Sequence, residues 1–336
     1  MNILLTGGAG YIGSHAAVVL SQAGHKVVLL DNFCNSHKGV LKRLKILLGK
    51  PFACIDADIR NTRVVSKTLE DYKIDAVIHF AGLKAVGESV VNPIEYYANN
   101  VQGTISLLEA MKSKNVRSLV FSSSATVYGD PQYLPVDERH PTTATNPYGR
   151  SKLHIEEMLR DLAQSDLEWG VICLRYFNPV GAHSSGLIGE DPDGLPNNLM
   201  PYIGMVASGT LPHLNIYGND YPTDDGTGIR DYIHVMDLAE GHLAALAHLK
   251  KEKGFLAINL GTGKAYSVIE LVKNFEIASN RSIPFKVEGR RPGDIAKCWA
   301  DPTQAMKKFN WTANRDLKSM CSDFWNWQQE QGSRES

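Results

Sequence analysis

The chain has 336 residues, 43% hydrophobic and 21% charged, with 35 Lys and Arg against 36 Asp and Glu for a formal charge of −1. That mixture excludes disordered and fibrous chains and leaves room for one large α/β domain with a smaller one. The balanced charge, with no long block of either sign, argues against a general nucleic-acid or membrane-surface binder. Short apolar, β-branched runs follow in order at Ile3 to Thr6, Lys26 to Asp31, Phe52 to Asp56, Ala76 to Ala81, Ser118 to Ser122 and Val171 to Tyr176. Helical stretches separate them, the first from Ser14 to Ala23. Strands apolar throughout and alternating with helices predict a doubly wound parallel sheet of six or seven strands, covered on both faces. From Asn178 the texture turns to Gly, Pro and Asn, as in Pro179 to Pro201 and Gly218 to Gly228, which reads as a smaller, loop-rich C-terminal α/β domain. The expected division is residues 1–178 for the first domain and 179–336 for the second, the chain returning to the first near 230–262 through a strand at Ala257 to Leu260. Trp311, Phe324, Trp325 and Trp327 read as core, and the polar tail from Gln328 to Ser336 as frayed.

Five scattered cysteines, Cys34, Cys54, Cys173, Cys298 and Cys321, never form a Cys-x-x-Cys pair. Neither a disulfide framework nor a zinc site is expected, and a cytoplasmic setting follows. The opening residues reach glycines before a signal segment can form, and no apolar run approaches the roughly 18 residues of a spanning helix.

Directly after the first strand stands Gly7-Gly8-Ala9-Gly10-Tyr11-Ile12-Gly13. Glycines here permit a tight turn, let a pyrophosphate approach the backbone and aim the N-terminus of the next helix at its charge. Asp31 ends the second strand, placed to accept from ribose hydroxyls and to repel a 2′-phosphate, so NAD is expected rather than NADP. Asp58-Ile59 and Phe80-Ala81-Gly82-Leu83-Lys84 follow the third and fourth strands, at the carboxyl edge where a cofactor lies.

The fifth strand ends in Ser122-Ser123-Ser124, and Tyr148-Gly149-Arg150-Ser151-Lys152 opens the helix toward the sixth. Tyr148 and Lys152, four apart, share one helical face, either as a partly buried surface pair or as a catalytic one. Bringing a phenol from a pKa near 10 to about 7 takes roughly 4 kcal/mol. An ammonium about 5 Å away supplies roughly 3 kcal/mol at an effective dielectric near 20, and the positive nicotinamide of an oxidised cofactor adds to it. Tyr148 then serves as general base, with Ser124 holding or relaying the proton of a substrate hydroxyl.

Further motifs are Ala85-Val86-Gly87-Glu88-Ser89, Tyr96-Tyr97-Ala98-Asn99-Asn100, Ser122 to Gly129, Arg175 to Ala182, Pro196-Asn197-Asn198-Leu199-Met200-Pro201 and Gly228 to Val235. With these and the glycine motif, the chain resembles the extended short-chain dehydrogenase/reductase family, and within it the UDP-sugar 4-epimerases, over nearly its full length. The resemblance implies a tightly held NAD, with Ser124, Tyr148 and Lys152 carrying the proton chemistry. It places Tyr11, Ile12, Asp31, Asn32, Asn35, Asp58, Ile59, Phe80, Lys84, Asn99, Ser122 and Phe177 against the cofactor, beside Gly7, Gly10, Gly13, Ala81 and Gly82. For the nucleotide sugar it points to Lys84, Ser124, Tyr148, Asn178, Asn198, Leu199, Asn215, Ile216, Tyr217, Arg230, Arg291 and Asp294. Without it, Arg230 and Arg291 read as solvated loop arginines; with it, they clamp a diphosphate. The implied reaction exchanges UDP-glucose and UDP-galactose through a 4-keto sugar held loosely at the reacting carbon and firmly at the nucleotide.

Cys298, within Arg290 to Trp299, stands where relatives confined to those two sugars carry a tyrosine, so N-acetylated UDP-hexoses are expected as substrates too. An inert small core residue is the other reading of Cys298. Dehydratases of the same family place an acidic pair after the strand-five Ser or Thr, where this chain has Ala125-Thr126-Val127. A decarboxylase, or a dinucleotide sensor without turnover, does not call for the whole motif set. The resemblance also implies a homodimer built from helices at about Pro93 to Lys114 and Pro147 to Gln164.

Overall fold

The computed structural model describes residues 1–335 apart from Asp193, Leu195, Asn197 and Pro292, and side chains only as far as Gln331. Asn197 and Pro292, members of two motifs above, therefore lie outside the described residues.

The first half runs β1 (Asn2–Thr6), α1 (Tyr11–Gln22), β2 (Lys26–Asp31), α2 (Gly39–Leu48), β3 (Ala53–Asp56), α3 (Thr62–Asp71) and β4 (Ala76–His79). It continues through α4 (Val86–Val91), α5 (Pro93–Tyr96), a π-helical turn (Tyr97–Val101), α6 (Gln102–Ser113), β5 (Ser118–Ser124), α7 (Pro147–Ser165) and β6 (Gly170–Tyr176). After β7 (Asn178–Val180), α8 (Leu199–Ala207), β8 (Leu214–Tyr217), β9 (Ile229–Arg230) and β10 (Tyr232–His234) come α9 (Val235–Leu249) and β11 (Gly254–Leu260). The chain closes with β12 (Tyr266–Ser267), α10 (Val268–Ser279), β13 (Phe285–Glu288), β14 (Lys297–Cys298), α11 (Thr303–Phe309) and α12 (Leu317–Glu335).

Seven strands form one sheet in the order β11-β6-β5-β4-β1-β2-β3, every pair parallel. This is the doubly wound arrangement expected from the sequence. Successive side chains of a strand point to opposite faces, and here both faces are covered. Ile3, Leu5, Leu29, Ile78, Val120, Ile172 and Leu174 pack with α1 and α9 on one side. Leu4, Val28, Leu30, Val77, Leu119, Phe121, Val171 and Cys173 pack on the other, with residues of α3, α6 and α7. An apolar run with no alternation thus supplies two cores at once.

A third core joins Met200, Ile203, Leu214, Ile216, Leu271, Phe275 and the apolar stripe of α12. Leu317, Met320, Cys321, Phe324 and Trp327 form that stripe at helical spacing, and Trp311 is also buried. The tail differs from expectation: α12 continues to Glu335 instead of fraying from Gln328. Arg43 Nη2 on α2 donates to Gln331 Oε1 at 3.2 Å, which ties that last stretch back to the first half. The helix α1 also starts three residues earlier than the pattern suggested, its first turn closed by Ser14 N–H to the Gly10 carbonyl at 2.9 Å.

Candidate active site

A cleft of about 360 Å³ opens at the carboxyl edge of the sheet. Leaving β1, the chain turns at Gly7, with φ +65°, where a Cβ would lie 2.7 Å from the Ala81 nitrogen; one on Gly13 would lie 2.3 Å from the Gly7 carbonyl oxygen. Only glycine lets these two loops and the helix approach so closely. No side chain caps α1, and Tyr11, Ile12 and Gly13 line the cleft, so the helix presents its first N–H groups to an anion. Asp31 is fixed at the end of β2 by bonds from Ala9 N–H and Phe33 N–H, both 2.9 Å, and from the Ser36 hydroxyl at 3.2 Å. A cradle that any Cβ would fill, an uncapped helix start and an oriented carboxylate fit a dinucleotide.

Asn146 caps α7 by accepting from Gly149 N–H at 2.8 Å, with Pro147 in the first turn. That start sets Tyr148 and Lys152 one turn apart facing the cleft. Lys152 is 4% exposed, and its Nζ donates to the Ser122 carbonyl at 2.7 Å. Ser124 Oγ accepts from Thr126 N–H at 3.2 Å and from the Thr126 hydroxyl at 2.9 Å. With both lone pairs engaged, its own proton is what it offers, and that hydrogen bond favours the Tyr148 phenolate.

The electrostatics differ from the sequence expectation. Burial pushes the Tyr148 phenol up from its ordinary value, with Ser124 acting against it, and burial also lowers Lys152, to about 8. The reason is geometric. The ammonium lies 5.9 Å from the centre of the Tyr148 ring, its proton is directed at a backbone carbonyl, and desolvation of a phenolate outweighs what it contributes at that range.

The cleft brings together Gly7, Gly10, Tyr11, Ile12, Gly13, Asp31, Asn32, Asn35, Ile59, Phe80, Ala81, Gly82, Lys84, Asn99, Ser122, Ser124, Tyr148, Lys152, Phe177, Asn178 and Asn198. Asp58, Leu199, Asn215, Ile216, Tyr217, Arg230, Arg291, Asp294 and Cys298 are not part of that lining. Asp58 pairs with Arg60 at 2.8 Å and accepts from Asn32 Nδ2 at 3.3 Å, and the Arg60 bonds hold its carboxyl down at about 2. Leu199 opens α8 directly after Asn198. The others gather where β8, β9 and β14 run. Arg291 lies 4.7 Å over the Tyr217 ring and pairs with Asp294 at 2.9 Å. Arg230 is in register with Cys298, and its Nη1 donates to the Ile229 carbonyl at 2.9 Å. Cys298 is buried beside Phe177, Tyr128 and Val136. Asn178 joins the two groups, its N–H bonded to the Asp231 carbonyl at 2.9 Å.

Residues 3–261 match the family described as NAD dependent epimerase/dehydratase. The chain belongs to that family. It is 55% identical to the UDP-glucose 4-epimerase of Bacillus subtilis (strain 168) over 328 residues, 98% of this chain and 97% of the relative. Among solved structures, the UDP-glucose 4-epimerase of Stenotrophomonas maltophila with NAD and formylated UDP-arabinopyranose superposes with a TM-score of 0.98 at 49% identity, each chain covered fully. That of Bifidobacterium longum with NAD+ and UDP gives 0.96 at 49% identity, with 99% of each chain covered. The resemblance to UDP-sugar 4-epimerases drawn from the motifs thus extends along the whole chain.

In and around this epimerase/dehydratase cleft several residues have contacts that the sequence does not show. Glu190 accepts from Lys84 Nζ at 2.8 Å and from Asn198 Nδ2 at 2.7 Å. Asn100, in the π-helical turn, accepts from Leu83 N–H at 2.8 Å and donates to the Leu83 carbonyl at 3.0 Å, which shapes the loop after β4. Tyr176 lines the cleft with its hydroxyl on His242. Trp327, read as core, is 2% exposed and still forms part of the cleft wall. The Asn99-Asn100 pair is a local signal in the sequence; the Lys84–Glu190 and Tyr176–His242 contacts join distant segments.

Proposed function

We propose that the protein is an NAD-dependent 4-epimerase interconverting UDP-glucose and UDP-galactose, and that its range includes the N-acetylated UDP-hexoses. The observation that carries the reading is the convergence of Ser124, Tyr148 and Lys152 in the same cleft as the glycine cradle and Asp31. In this reading residues 1–178, joined by the return near 230–262, hold NAD, and 179–336 hold the UDP-sugar. When bound, NAD would be held by the glycine cradle and Asp31 and would supply a reversible hydride acceptor for the sugar carbon, its oxidised ring carrying positive charge.

The chain's own residues do the proton work. Tyr148 accepts the proton of the C4 hydroxyl, with the Ser124 proton and the Lys152 ammonium steadying the phenolate. Lys84 and Asn198 contact the sugar, while Arg230 and Arg291 grip the diphosphate and Asn215, Ile216 and Tyr217 the uridine, so that the reacting ring is free to turn. In this reading the small side chain of Cys298, in the cluster behind the cleft-lining Phe177, lets that wall accept an acetamido group.

A homodimer is part of the proposal. Val90, Val91 and Ile94, on α4 and α5, are 63%, 77% and 82% exposed, next to α7, where the rings of Tyr97 and His154 stack 5.8 Å apart. The cytoplasmic setting rests on five cysteines that are all free. Among the described residues no helix is long and apolar enough to cross a membrane.

The test is turnover of UDP-galactose by the purified protein without added cofactor, with NAD released on denaturation. Absence of both sinks the proposal.

A further inference from the structure

The sequence Tyr148, Lys152, Glu156 places three groups on successive turns of one face of α7. Opposite them stand three consecutive serines of β5. Lys152 Nζ donates to the Ser122 carbonyl at 2.7 Å, Ser124 donates toward Tyr148, and the Ser123 hydroxyl donates to Glu156 Oε1 at 2.5 Å. Glu156 is 0% exposed, and Arg175 of β6 is 3% exposed. The Arg175 guanidinium meets the Glu156 carboxylate through Nε at 3.0 Å and Nη2 at 2.5 Å. Its Nη1 donates to Tyr128 Oη at 3.0 Å, and Tyr128 in turn donates to Asn259 Oδ1 at 2.6 Å.

We propose that Glu156 is a positioning residue of the epimerase reaction, its buried carboxylate fixing α7 to β5 and β6 so that Tyr148 and Lys152 meet Ser124 and Ser122 in register. The proposal rests on the reading of Tyr148 as general base. A buried ion pair is a weak source of stability, because desolvating both charges offsets their attraction. What this pair does have is position. It joins the neighbour of Ser124 and the neighbour of Tyr176 to the helix that carries the base, one turn beyond Lys152.

The same carboxylate sets part of the local field. Burial lowers Lys152, and the Glu156 charge opposes that lowering. Among the described residues, the other charged or titratable groups acting on this region include Arg175, Cys173 and Tyr176 from β6, His79 from β4, Tyr128 after β5, Arg160 on α7, Glu138 beside Tyr128 and Arg175, and Tyr96 of α5. Removing a negative charge from their midst lowers the pKa of Tyr148 and Lys152 alike.

The test uses the holoenzyme with its own retained cofactor and three variants: Glu156→Gln, Glu156→Asp, and the neutral pair Glu156→Gln with Arg175→Gln. Glu156→Gln should lower kcat by about 10- to 100-fold with KM held within about twofold, as expected for misplacement of a catalytic group. Both limbs of its kcat profile should move about one pH unit toward acid. The Tyr148 ionisation, read as difference absorbance against Tyr148→Phe backgrounds, should move with them. The neutral pair should keep the loss in kcat and return the profile to its original position, and Glu156→Asp should keep the position with a smaller loss.

Retained NAD and unchanged kcat in Glu156→Gln would overturn the proposal, as would a lowered melting temperature with an unmoved profile. If Glu156→Gln fails to fold, the neutral pair decides: wild-type kcat overturns the proposal, and reduced kcat at normal NAD content upholds it. Full activity of Tyr148→Phe, in contrast, strikes the reaction assignment on which this role of Glu156 rests, and is told apart from failure of the role itself, which leaves Tyr148→Phe inactive and Glu156→Gln at wild-type kcat.

Discussion

Glu190 holds Lys84 by an ion pair of 2.8 Å, and the same carboxylate oxygen accepts from Asn198. Glu190 is 7% exposed, so it orders two cleft side chains from a sheltered position. Substituting Glu190→Gln keeps the shape and removes the charge that aligns them. The expected outcome is a loss of about tenfold in kcat/KM for UDP-galactose, equal to about 1.4 kcal/mol, mostly in KM. Steady-state kinetics with retained NAD measured in parallel decide it.

Lys152 is cationic below its lowered pKa of about 8 and neutral above it. The ammonium that steadies the Tyr148 phenolate is therefore lost as pH rises through that value. Epimerisation should fall on the alkaline side with a midpoint near pH 8, and Lys152→Met should be slower by about 100-fold or more and lack that limb. A profile from pH 6 to 10 tests both statements.

Gly13→Ala places a methyl carbon 2.3 Å from the Gly7 carbonyl oxygen, a backbone atom with no room to retreat. The glycine turn must open and the cradle is lost. The variant should retain about one tenth or less of the NAD carried by the parent protein, measured in the supernatant after denaturation.

Asp231 is 0% exposed and accepts from Thr262 N–H and hydroxyl, Gly263 N–H and Ala300 N–H. Burial pushes its carboxyl up, and these donors act against that rise. Asp231→Ala leaves the donors unpaired and should cost about 3 kcal/mol or more. A lower urea midpoint with an unchanged slope is the expected readout.

Cys298→Tyr tests substrate range. Turnover of UDP-N-acetylgalactosamine should drop by about 100-fold, with that of UDP-galactose within about threefold. Because the thiol is packed beside Phe177, a thermal melt must accompany the kinetics. An equal loss on both sugars points to a repacking of the core instead.

The seven strands were legible because alternation and β-branched content are local, and the cofactor cradle because only glycine satisfies its turn. The α12 tail was not, because Gln328 to Glu335 is polar and its anchor, Arg43, lies at the other end of the sequence. Glu190 and Glu156 went unread for the same reason: their partners come from distant segments, and a lone glutamate has no pattern. The burial of Tyr148 was not legible because spacing shows that a lysine is near, while desolvation depends on everything packed around the ring.

Since β11 completes the sheet beside β6, the nascent polypeptide leaves the ribosome with one flank of its central sheet uncovered until residues 177–260 have also emerged. That flank can attract a stray extended segment during biosynthesis. A protein cut short near residue 178 would carry the cradle and the catalytic helix and would still expose the strand that ends beside them.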